Sequence, residues 1–341
     1  MRFGIFLLAP RFPGQDEGEV LDGAVAVARA AERYGFDDVW LAEHHFMAYG
    51  ICPSALTFAS YLLGNTARIG VGTAVTVLSG RHPVDVAEQT ALLDRLSGGR
   101  LRLGVGRGGP WLELEVFGTG LERYETGFTE SLDLLLAALE RDRVRGDGPA
   151  FRFREVPMVP RPATRPRPPV VVACTSEATR TVAAERGLPM LLGMHETDAQ
   201  RAAAVAHYAA EAARHGRPPH PGHVAAAVAH VADEPGRARA ELLEALPRWL
   251  GPGLAGYVAV DDRPRAPRDP AAYAAHLCDT HPVGTPAECA DRMIATVRAT
   301  GVRHFILMVE GIGDPERAVD TVRRLGEDVL PEVRSAAGEK R

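Results

Sequence analysis

Glu43, His44 and His45 follow directly on the apolar run Gly35-Phe36-Asp37-Asp38-Val39-Trp40-Leu41-Ala42, with no turn residue between. Strand-forming side chains that need burial pass straight into groups that need water, a partner or a reaction. At the C-terminal end of a strand in an α/β barrel, such groups read as catalytic. An imidazole titrates near neutrality and serves as general acid or base, so proton transfer is the first chemistry these residues suggest. Two hydrogen-bonded structural histidines are the equal alternative on local sequence alone. Alternation along a strand turns adjacent side chains to opposite faces, which predicts one histidine in a pocket and the other in support. A metal site is disfavoured, because neither the H-E-x-x-H spacing nor a Cys/His cluster is present.

Two further segments suit an anion. Gly104-Val105-Gly106-Arg107-Gly108-Gly109 has the spacing G-x-G-x-x-G, but Pro110-Trp111-Leu112-Glu113 reads as loop where a dinucleotide site needs a helix. Arg107 at the end of that strand instead suits a phosphate, which a guanidinium binds in bidentate fashion. Val170-Val171-Val172-Ala173-Cys174 runs into Thr175-Ser176-Glu177-Ala178-Thr179. Ser176 is a natural N-cap with Thr179 three residues on, so two hydroxyls and free backbone N–H groups can surround an anion; an ordinary capped helix explains the pattern as well. Small residues in Val71-Gly72-Thr73-Ala74-Val75 would let a flat ligand approach the backbone. His82-Pro83 opens a helix, with Pro in its first turn.

The elements that must position these residues alternate along the chain. Strands are expected near 3–8, 37–42, 68–75, 101–106, 170–174, 189–193, 223–231 and 304–309. Helices are expected near 19–34, 54–65, 84–97, 123–141, 177–186, 197–215, 286–300 and 314–333. Eight strand–helix units predict an α/β fold, a (β/α)8 TIM barrel, formed by residues 1–341 as one domain. Three stretches break the rhythm: 107–122, glycine-rich and acidic; 143–169, rich in proline; and 232–283, a helix followed by Pro-Arg-rich sequence. They predict insertions after strands 4 and 7 on the rim of the site, the last a mobile lid. The chain has 341 residues, 46% of them hydrophobic, and a formal charge of −5, enough for a sizeable core and without the basic stripe of a nucleic-acid binder. No apolar stretch is long enough to span a membrane and the start reads as a strand, so a cytoplasmic protein is expected. Cys52, Cys174, Cys278 and Cys289 are scattered without a C-x-x-C pair, as free packing thiols are. Lys340 is the sole lysine among 39 basic residues, a usage that reflects a GC-rich genome.

Taken in order, these motifs resemble the bacterial luciferase-like, flavin-dependent monooxygenases, and the luciferase subunits in particular. The resemblance rests on Gly35 to Phe46, Val71-Gly72-Thr73-Ala74, His82-Pro83-Val84, Leu92-Leu93-Asp94-Arg95-Leu96-Ser97-Gly98-Gly99-Arg100, Gly187-Leu188-Pro189-Met190 and Pro282-Val283-Gly284-Thr285-Pro286, and it spans about residues 1 to 333. It implies FMN at the barrel mouth, used in reduced form and supplied by a separate NAD(P)H-dependent flavin reductase. Oxygen would add to the flavin as a hydroperoxide that oxygenates an organic substrate. By position, Arg107, Ser176 and Thr179 match phosphate-binding residues, Ala74-Val75 a non-proline cis peptide behind the flavin ring, and His44 the catalytic histidine, with Gly106 and Thr175 completing the cofactor contacts. His45 and His82 are the next candidates for the catalytic role. The family also implies a homodimer. Gly106 stands where the luminescent catalytic subunit has a reactive cysteine, which directs the expectation away from light emission. It points instead to a biosynthetic monooxygenase acting on a secondary metabolite such as an aromatic polyketide antibiotic. A deazaflavin-dependent dehydrogenase of the same superfamily and a non-catalytic luciferase-like partner subunit are the alternatives.

Overall fold

The structure, a computed structural model, describes residues 1–217, 219 and 222–338. Eight parallel strands close into a barrel: β1 (Arg2–Leu7), β2 (Asp38–Leu41), β3 (Gly70–Thr73), β4 (Leu101–Gly106), β5 (Val170–Ala173), β6 (Met190–Leu192), β7 (Val224–Val228) and β8 (His304–Met308). Each pairs with the next, and closure comes from β1 against β8, with Gly4 beside Ile306. The (β/α)8 fold expected from the alternation is the fold observed.

The period of two along each strand decides which residues form which core. In β1, Phe3, Ile5 and Leu7 pack outward against the helix layer, whereas Phe6 and Leu8 belong to a second apolar cluster in the barrel interior. In β2, Val39 and Leu41 face out while Trp40 and Ala42 face in. Helix α1 (Glu17–Arg33) is capped by Asp16, whose carboxylate accepts the Gly18 and Glu19 amides, and its buried Ala24, Val27, Ala28 and Ala31 form the stripe that covers the sheet. Helices α2 (Ala55–Asn65) and α3 (Pro83–Leu96) follow β2 and β3 in the same manner.

The longest connections rise where the chain leaves β4 and β7. After β4 come two short helical turns at Glu113–Val116 and Gly120–Glu125, helix α4 (Phe128–Glu140), and an antiparallel hairpin of Arg143–Asp147 with Arg152–Pro157. After β7 come helices α5 (Arg237–Ala255), α6 (Pro270–Thr280) and α7 (Pro286–Thr300). The hairpin and α6 were not anticipated, since both begin or end in proline-rich sequence that masks their periodicity. The two connections meet over the barrel: Trp111 and Ala259 form an antiparallel bridge, and the Val260 amide donates to the Pro110 carbonyl at 2.9 Å.

Candidate active site

Beneath that bridge, at the C-terminal mouth of the barrel, lies a cleft with about 1170 Å³ of space free of protein atoms, part of it continuous with solvent. The cavity proper, about 350 Å³, lies at the lower end of the range of small-molecule sites. Its floor is Phe6, Leu8 and Ala226, and its walls come from the ends of β2 to β6 and from the connection after β7.

His44 lines the cleft as expected, and so does His45. The expectation that only one of the two would reach it is corrected. Regular strand ends at Leu41, and Phe46 has a φ of 59°, so alternation no longer separates the two rings. His44 packs edge-on against Tyr49, with ring centroids 5.0 Å apart, and against Tyr257 at 6.2 Å. Its Nδ1 is buried and has no hydrogen-bond partner. Gly50 permits this placement: a Cβ there would lie 2.7 Å from the His44 Nδ1 and 2.5 Å from the Leu8 carbonyl oxygen. Burial pushes the imidazole down to about 4, so the ordinary value near 6.5 expected from sequence does not hold, and the ring is neutral at pH 7.

Glu43 has a different task from the neighbouring histidines. One of its oxygens accepts the Ala55 amide at the start of α2, the other accepts the Val77 amide, and Arg81 bonds both. Burial alone would raise this carboxyl; His45, the Arg81 guanidinium and the Ala55 amide outweigh it and hold it below its usual range. The His45 Nε2 lies 3.7 Å from Glu43. Glu43 thus ties the end of β2 to the next two elements. Glu113, also buried, lines the cleft, and burial raises its carboxyl. His82 is outside the cleft, where its Nδ1 accepts the Val84 amide as the N-cap of α3.

Ala74 and Val75 form one wall, and the peptide bond between them is cis. Gly106 lies directly behind: an added Cβ would stand 2.6 Å from the Val75 Cγ2. Thr175 lines the cleft, whereas Arg107, Ser176 and Thr179 do not. These three stand just beyond the ends of β4 and β5, which are neighbours with Val105 beside Val172. The Arg107 guanidinium lies over the Tyr124 ring at 4.4 Å. Ser176 and Thr179 form a reciprocal capping box at the start of the helix Glu177–Glu185, with their hydroxyls 3.1 Å apart. Ala74-Val75 thus offers a flat wall to a planar heterocycle, and Arg107 and this helix start stand as anion donors beyond the cleft edge.

Sequence reasoning missed Tyr49, Trp111, Glu113, His195, Tyr257, Arg268 and Tyr273, all of which line the cleft. Three of them, Trp111, Tyr257 and Arg268, sit in irregular chain of the two long connections, where no periodicity marks the inward side. Among the described residues no cluster of His, Cys, Asp or Glu could hold a metal ion, the four cysteines are free and buried, and no helix is long and apolar enough to cross a membrane.

Comparison with known proteins adds four findings. A model of the luciferase-like monooxygenase family matches residues 1–304. The alkanal monooxygenase alpha chain of the Kryptophanaron alfredi symbiont is 28% identical over 349 aligned positions, covering 97% of this chain and 98% of that one. Among solved structures, monooxygenase RslO1 from Streptomyces bottropensis superposes with a TM-score of 0.85 at 26% identity, over 97% of this chain and 99% of that one. The oxygenating constituent of 3,6-diketocamphane monooxygenase from Pseudomonas putida, in complex with FMN, has the same fold, with a TM-score of 0.79 at 18% identity over 98% of this chain and 99% of that one.

Proposed function

This chain belongs to the luciferase-like monooxygenase family, and from that premise we propose that it is the oxygenating component of a two-component system. It takes reduced FMN from a separate NAD(P)H-dependent flavin reductase and oxygenates an organic small molecule, with residues 1–341 acting as one catalytic domain. Bound reduced flavin would supply the two electrons that activate O2. The chain's own residues do the rest. Ala74, Val75 and Gly106 form the flat wall for the ring, Thr175 flanks it, and Arg107 with Ser176 and Thr179 holds the phosphate by a charge-assisted pair and helix N–H groups. His44 moves a proton through its neutral imidazole, against which Tyr49 and Tyr257 pack edge-on. Biosynthesis of a secondary metabolite, an aromatic polyketide antibiotic for example, is the metabolic setting we favour.

The observation that carries this reading is the neutral, buried imidazole of His44, aimed into the same cleft as the Ala74-Val75 wall. The test is anaerobic titration with reduced FMN, followed by mixing with ¹⁸O2 and extracts of candidate substrates. Incorporation of one labelled oxygen atom per turnover is expected. Hydride transfer from reduced deazaflavin, without oxygen uptake, would replace this reading with a dehydrogenase.

A further inference from the structure

Aromatic residues make up 6% of the chain, with seven tyrosines and three tryptophans. Three of those tyrosines and one of those tryptophans line the cleft: Tyr49, Tyr257, Tyr273 and Trp111. Trp111, Tyr257 and Tyr49 form a continuous wall. Trp111 packs against Tyr257 with centroids 5.0 Å apart, and Tyr257 packs against Tyr49 at 5.5 Å. Trp249 stacks behind Tyr49 at 4.7 Å and donates its Nε1–H to the Tyr49 carbonyl at 3.1 Å, which fixes the wall from the rear. Burial pushes all three tyrosine hydroxyls up, so they remain neutral donors.

At the edge of this wall the Arg268 guanidinium lies over the Tyr273 ring, 4.4 Å from its centroid, and borders the cleft. Its neighbours in the sequence are already engaged: Arg265 pairs with Asp261 and Arg263 with Glu125. Among the described residues, no carboxylate lies within ion-pair distance of Arg268. Arg268 is exposed at the cleft rim, and a guanidinium held on a ring face without a carboxylate partner has its donors free for an anionic oxygen. Rigid aromatic faces, with only two torsions each to order, bind a planar ring system at low entropic cost. An alkyl chain draws no such benefit from them.

We propose that the substrate is a planar aromatic or fused-ring compound bearing an anionic oxygen substituent, stacked on Trp111 and Tyr257 and anchored by Arg268 as the specificity-determining residue. This rests on the cleft being the oxygenation site. It predicts that the wall, formed largely by the two long connections, discriminates by ring shape and charge.

The test is tryptophan-fluorescence titration of the whole protein with 2-naphthoate, its neutral analogue 2-naphthamide, and decanoate, with FMN affinity measured separately through quenching of flavin emission. 2-Naphthoate is expected to bind about tenfold or more tighter than either comparator, the worth of one charge-assisted bond. Arg268→Met should erase the difference between naphthoate and naphthamide and leave naphthamide within about twofold, while Trp111→Leu should weaken both. Equal binding of naphthoate and naphthamide, decanoate matching naphthoate, or no saturable quenching by naphthoate at millimolar concentration would overturn the proposal. If FMN fails to bind while the naphthoate pattern holds, the cofactor assignment fails and the substrate class stands. If FMN binds and Arg268→Met leaves naphthoate unchanged, the substrate class alone fails.

Discussion

His44 stays neutral because burial among two aromatic edges and a glycine outweighs the pull of Glu43, a carboxylate already bound to Arg81 and two amides. With its value pushed down to about 4, protonation of this ring cannot shape the rate between pH 5.5 and 8. A rate profile with an acidic limb near pH 6.5 that disappears in His44→Ala would contradict that. The substitution itself should leave FMN affinity within a few fold and cut oxygenated product by about 10² to 10⁴, with hydrogen peroxide released in its place. Unchanged turnover would make His44 structural. Gly50→Ala tests the same placement from behind, since its methyl group would enter the space of Nδ1. Comparable product loss with flavin binding retained is expected, and full activity would show that the ring position does not matter.

At the scale of elements, the ends of β4 and β5 set the phosphate end of the proposed flavin site. Arg107→Ala should weaken FMN much more than riboflavin, by about 10-fold or more, because only FMN loses a charge-assisted bond. Equal losses for both ligands, measured by equilibrium dialysis, would reject the assignment. These residues were legible in the sequence because regular elements carry periodic signals: Val170-Val171-Val172 is a buried strand by composition, and Ser176 with Thr179 is a cap by spacing. All eight barrel strands were readable for the same reason. The aromatic wall was not. Trp111, Tyr257 and Arg268 sit in irregular chain, where the inward direction is set by the bridge between Trp111 and Ala259, a contact between segments almost 150 positions apart. The hairpin from Arg143 to Pro157 escaped notice because its strands are largely exposed and rich in arginine, so no apolar alternation announces them.

For the whole molecule, two outcomes follow from surface and burial. Leu21, Tyr61, Leu92 and Leu96, on α1 to α3, are exposed large apolar side chains, and the groove between α1 and α2 is lined by Val25, Ile51 and Phe58. Such a surface suits a second copy of the chain, so light scattering at micromolar concentration should give twice the 36.6 kDa chain mass. A monomeric mass, or a dimer that survives Leu92→Arg with Leu96→Arg, would exclude this face. The second outcome concerns acid and base. His44 and His281 are pushed down by burial to about 4 and about 3, so below pH 6.5 the unfolded chain takes up protons that the folded chain refuses, and stability falls with pH there. Glu310 acts in the opposite sense. Burial raises it to about 7 against the amides of Leu8 and Ala9, so stability declines as pH rises from 4.5 to 7 and the full cost remains above. Glu310→Gln should therefore raise Tm relative to the parent at pH 8 and bring no such gain at pH 5. A Tm difference independent of pH would refute it.

The close approach of Gly106 to Val75 also constrains the routes by which this protein can change. A side chain at position 106 requires the Val75 side chain to turn or shift, because its first carbon would stand 2.6 Å from the Val75 Cγ2. The two positions are thereby coupled: any side chain gained at 106 also reshapes the wall that Val75 presents to the cleft.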